Sequence, residues 1–77
     1  MPPVGAVGTD EGFAKDAKRY RLDLDARGAL AREVSRHVNN QSVASGQATV
    51  AYNNVGYTVT YKYDAAKQKL TCTGIKP

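Results

Sequence analysis

Few side chains in this sequence could carry chemistry: one histidine (His37), one cysteine (Cys72), and the nearby carboxylates Asp23 and Asp25. Acid–base or nucleophilic catalysis needs a titrating group within hydrogen-bond reach of a nucleophile or of a second such group. His37 falls at the edge of an apolar helical stripe, one turn after Glu33 and beside Val34 and Val38, and no nucleophile accompanies it. It reads as a partly buried surface histidine. Cys72 sits inside an alternating strand pattern, where a free thiol behaves as a small core residue. One histidine and one cysteine on different elements make no zinc-ligand spacing, and the two aspartates suit a strand end and a helix cap. No glycine-rich phosphate loop occurs. The expectation is a protein that is not an enzyme and uses no metal, no cofactor and no small-molecule substrate.

Binding chemistry is better represented. From Val38 to Tyr61 there is no Asp, Glu, Lys, Arg or His, although 11 basic and 7 acidic residues occupy the rest of the 77-residue chain. An uncharged stretch that also reads as strand lacks the lysines and prolines that normally blunt a sheet edge, so a cover is expected from the chain or from a partner. Thr49, Ala51, Tyr52, Asn53, Asn54 and Tyr57 are the candidate contact residues, with the two tyrosines as anchors and another protein or a second copy as the partner. The alternative partner is nucleic acid. The formal charge is +4, and Arg32 and Arg36 lie with Ser35 and Asn39 on the outward side of the same helix. Arg19, Arg21, Lys62 and Lys69 would extend that footprint over phosphates.

The elements that hold these residues follow from periodicity. Pro2, Pro3, Gly5, Gly8 and Gly12 mark residues 1–17 as a flexible leader, within which Thr9 could cap a short helix over residues 10–17. Residues 18–77 then form one small domain, which is all that this length supports. Residues 19–24 alternate, placing Tyr20, Leu22 and Leu24 opposite Arg19, Arg21 and Asp23, and predict a half-buried strand, with a helix running on from Phe13 as the alternative. Asp25 is placed to cap a helix over residues 26–40, whose Leu30, Val34 and Val38 recur every four residues beside Ala26 and Ala31. After a polar connector at residues 41–46, three alternating runs predict a meander. A loop over residues 53–56 sets Tyr52 opposite Tyr57 and Val50 opposite Val59, and a turn at residues 64–67 sets Tyr61 and Tyr63 opposite Cys72 and Leu70. The fold class is therefore α+β: one amphipathic helix on a three- to four-stranded antiparallel sheet, with a C-terminal β-meander. Thr49, Thr58, Thr60, Thr71 and Thr73 line the opposite, solvated face.

The segment Gln41-Ser42-Val43-Ala44-Ser45-Gly46 after the helix superficially resembles the first binding loop of the cystatins, which carries a Gln-X-Val-X-Gly pattern. An extra residue before Gly46, the missing strand between helix and loop, and the absence of tryptophan depart from that family, and no functional residue carries over. The N-terminus has no basic segment followed by an apolar run, and no stretch has the apolar length of a membrane span, so the cytoplasm is the expected location.

Overall fold

Two aspartates start the two helices. Asp10 accepts the Phe13 N–H through Oδ1 at 3.0 Å and opens α1 (Glu11–Arg19). Asp23 accepts the Ala26 N–H at 2.8 Å and opens α2 (Leu24–Gln41). Each satisfies one of the donors that a helix start leaves unpaired. The computed structural model describes residues 4–41 and 45–77, and its elements run β1 (Ala6–Thr9), α1, α2, β2 (Ser45–Tyr52), β3 (Val55–Asp64) and β4 (Lys69–Lys76). Part of the polar connector, residues 42–44, lies outside the described residues, as do residues 1–3. Replacing Asp23 with alanine is expected to destabilise the fold by about 1 kcal/mol in urea titrations; an unchanged midpoint would show that the cap contributes nothing.

The α+β class holds, with two helices packed on one four-stranded sheet of order β1-β4-β3-β2. β2, β3 and β4 form the antiparallel meander. The fourth strand is not residues 19–24 but β1, and it pairs with β4 in parallel, Ala6 opposite Lys69 through Thr9 opposite Cys72. From residue 4 onward, the expected leader is therefore structured. Phe13 and Ala17 on α1 are fully buried, and Asp10 rather than Thr9 caps that helix.

Residues 19–24 are the end of one helix and the start of the next. Arg21 takes φ 59°, its N–H donates to the Lys18 carbonyl, and the Leu22 N–H donates to the Ala17 carbonyl at 2.9 Å. This is the Schellman stop, normally built on glycine, with Leu22 and Ala17 both buried as its apolar clasp. Leu22 faces inward as expected, but Leu24 becomes the first helical residue and is 79% exposed. Asp23, not Asp25, caps α2. On α2 itself, Ala26, Leu30, Ala31, Val34 and Val38 are all buried, as their spacing predicts.

The hairpin between β2 and β3 is tighter than expected. Asn53 and Asn54 take φ 51° and 65°, forming a two-residue turn of the I′ type. Tyr52 is thus opposite Val55, Val50 opposite Tyr57 and Ala48 opposite Val59. The shift against the expected register is even, so each side chain keeps its predicted face. The second turn gives the expected pairs, Tyr61 with Cys72 and Tyr63 with Leu70. Thr73 is an extra residue in β4, because Tyr61 pairs with Cys72 while Thr60 pairs with Gly74. That bulge lets both Cys72 and Ile75 point into the core.

α1 lies against β4, and it comes close. A Cβ on Gly12 would stand 2.7 Å from the Thr73 carbonyl oxygen, so only glycine permits this approach. Asp16 Oδ2 accepts the Ile75 N–H at 3.2 Å, and the Cys72 carbonyl accepts the Asp10 N–H at 3.1 Å. The short β1 and the start of α1 together cover the β4 edge.

Candidate functional site

The other edge of the sheet is β2. In an antiparallel ladder the facing pairs alternate between those that exchange two hydrogen bonds and those that exchange none. A two-residue I′ turn makes its closing pair, here Tyr52 and Val55, a bonded one. Val50 with Tyr57 and Ala48 with Val59 are then bonded, while Gln47, Thr49 and Ala51 aim their N–H and C=O groups away from β3. The same alternation, carried across the sheet, turns the Ile75 N–H and the Cys72 carbonyl away from β3, where Asp16 and Asp10 take them. On the β4 side the outward groups meet partners from this chain; on the β2 side no strand of the described residues lies beyond.

β2 has eight residues against four in β1, pairs without a register shift, and contains no charged residue and no proline. Short length, bulges, charge and proline are the usual protections of a sheet edge. Gln47, Thr49 and Ala51 are exposed; Ala48 and Val50 are buried beneath α2. An open groove runs between α2 and this strand, with Glu33, Arg36, His37 and Asn40 on one wall and Thr49 to Ala51 on the other. Arg36 and Glu33 form an exposed ion pair of 3.1 Å in the helix wall.

Comparison with family models, with curated proteins and with solved structures finds no match. The site therefore rests on its own geometry.

The predicted contact residues divide accordingly. Thr49 and Ala51 stand on the open edge, and Asn53 and Asn54 are exposed at the hairpin tip. Tyr52 is half-buried against the core, and Tyr57 is only 8% exposed, so Tyr57 is a core residue rather than a surface anchor. Gln47, Glu33, His37 and Asn40 join the site although the sequence did not mark them for it. Gln47 could have been found from the turn type and the ladder alternation; the groove wall depends on how α2 packs.

The basic residues do not converge. Arg32 and Arg36 are exposed on α2, on the helical side of the sheet. Lys62 and Lys69 alternate with buried Tyr61, Tyr63 and Leu70, so they lie on the opposite, threonine-bearing face. Arg19 and Arg21 stand where α1 meets α2. Nearby Arg27 donates from Nε to the Leu22 carbonyl at 2.9 Å and braces that turn.

Neither candidate nucleophile nor metal cluster adds to this picture. Cys72 is fully buried, and burial, aided by the negative charge of Asp10, pushes its thiol up to about 11. His37 is half-buried in the groove wall. No group of three metal-binding side chains occurs among the described residues, and no helix is long and apolar enough to cross a membrane.

Proposed function

We propose that this protein is a non-enzymatic binding module that takes an extended segment of a protein chain as an added strand along β2. The observation that supports it is the long, uncharged β2 edge, whose outward groups at Gln47, Thr49 and Ala51 meet no strand of the described residues. In this mode main-chain hydrogen bonds supply affinity and alternate side chains supply selection. Thr49 and Ala51 contact the added strand on the open face, and Asn53 and Asn54 frame its end. Its action is stoichiometric, as an adaptor or an occluding inhibitor. Nucleic-acid binding has less support, because the basic side chains that would carry it are spread over both faces of the sheet.

Replacing Thr49 and Ala51 together with lysine is expected to weaken partner binding about tenfold or more, since edge lysines obstruct strand addition. The partner is isolated by pull-down after nuclease treatment, and its affinity for parent and variant is compared by calorimetry. Unchanged affinity, in a variant whose amide spectrum shows the fold intact, overturns the reading.

A further inference from the structure

Resting on that reading of the β2 edge, we infer that the strand it accepts is the β2 of a second copy, joined in antiparallel about a twofold axis at Thr49. Of the outward residues Ser45, Gln47, Thr49 and Ala51, the three nearest the hairpin are spaced evenly about Thr49. Antiparallel pairing centred there sets Thr49 against Thr49 of the second copy and Gln47 against Ala51, and each facing pair exchanges two main-chain bonds. A twofold contact requires that residue i meet j and j meet i, and this register meets that condition.

Charge agrees with this arrangement. β2 brings no charged side chain to the seam, so two copies of a basic chain meet without like charges in the strand pair. A twofold axis perpendicular to the sheet keeps both α2 helices on the same face of the joined sheet, flanking the seam in antiparallel. The groove wall of each helix carries both signs, Glu33 and Arg36 one turn apart. The helix wall that flanks the seam is therefore not of a single charge. The threonine pair at the axis adds a favourable cross-strand contact on the open face.

Sedimentation velocity from about 1 μM to about 1 mM is expected to show a concentration-dependent shift from the 8.3 kDa monomer to twice that mass. Thr49→Pro removes only the outward N–H, which an edge strand tolerates, and is expected to raise the dimer dissociation constant about tenfold or more. Thr49→Lys sets two ammonium groups face to face at the axis and guards against a proline variant that fails to fold. In the dimer, amide exchange at Gln47, Thr49 and Ala51 slows with protein concentration, a change that a merely structural role for β2 would not produce. A chain that stays monomeric throughout this range, or a dimer indifferent to both substitutions, overturns self-pairing. A monomer that still captures a partner, and loses it when Thr49 and Ala51 become lysine, keeps the edge reading and removes only the second copy as occupant.

Discussion

Phe13→Ala is expected to leave much of the protein unfolded at room temperature. Phe13 is 0% exposed, although it lies in a glycine-rich part of the chain, and truncating a buried phenylalanine costs about 3–5 kcal/mol. A chain of this size has a net stability of only about 3–5 kcal/mol, so the loss is comparable to the whole. Thermal melts followed by circular dichroism should fall by more than about 12 °C. Phe13→Leu, which keeps most of the volume, should fold. A Phe13→Ala variant that melts within a few degrees of the parent would mean that α1 is not part of the cooperative unit.

The second large effect concerns Cys72. Its thiol is fully buried between α1 and the sheet, and burial followed by the charge of Asp10 raises it to about 11. Modification by a thiol reagent then requires opening of the core, and for a net stability of about 3–5 kcal/mol it should proceed about 10²- to 10⁴-fold more slowly than in denaturant. The Phe13→Ala exchange should abolish most of this protection; fast labelling of the parent would contradict the packing of α1 over Cys72. The raised thiol also sets a direction with pH. An unfolded thiol ionises near 9.0, whereas the folded one holds its proton to about 11. Across that window the unfolded chain binds fewer protons, so stability is fully present below pH 9 and falls as pH rises. The loss is on the order of 1–2 kcal/mol and is read from urea midpoints at about pH 8 and about pH 10.5. Burial raises Tyr61 as well, which adds to the loss at the alkaline end. Cys72→Ala should flatten the first part of this slope.

Much of the sheet was legible because period-two alternation in residues 47–73 is long enough to fix the faces. Val50, Tyr57, Val59, Tyr61, Leu70 and Cys72 are buried as that alternation predicts. α2 was legible from the four-residue recurrence of Leu30, Val34 and Val38. The short helix over residues 10–17 was legible too and is α1, but the first nine residues and the helix stop after it were not. β1 has four residues and borrows its stability from a partner strand far along the sequence, so local propensity carries no signal for it. Residues 19–24 alternate by coincidence: the helix stop depends on Arg21 adopting a conformation that sequences usually announce with glycine. A loop over residues 53–56 and a turn at Asn53-Asn54 keep the same faces, so alternation does not separate them; the choice falls to the Asn53-Asn54 pair, which accepts both positive φ angles. As for the site, the charge gap located the open edge, and Thr49 and Ala51 followed from it. The groove wall on α2 did not, since nothing local specifies where a helix crosses a sheet.

The parallel pairing of β1 with β4 also fixes when this chain can finish folding. Ala6 has to wait for Lys69, and at a synthesis rate of about 5–20 residues per second that interval is about 3–12 s. Throughout it, Val7 and Phe13 are without the strand they dock on, and the β2–β3 hairpin is complete only near its end, once Asp64 has been made. Assembly of the sheet is completed only after translation has passed the last strand.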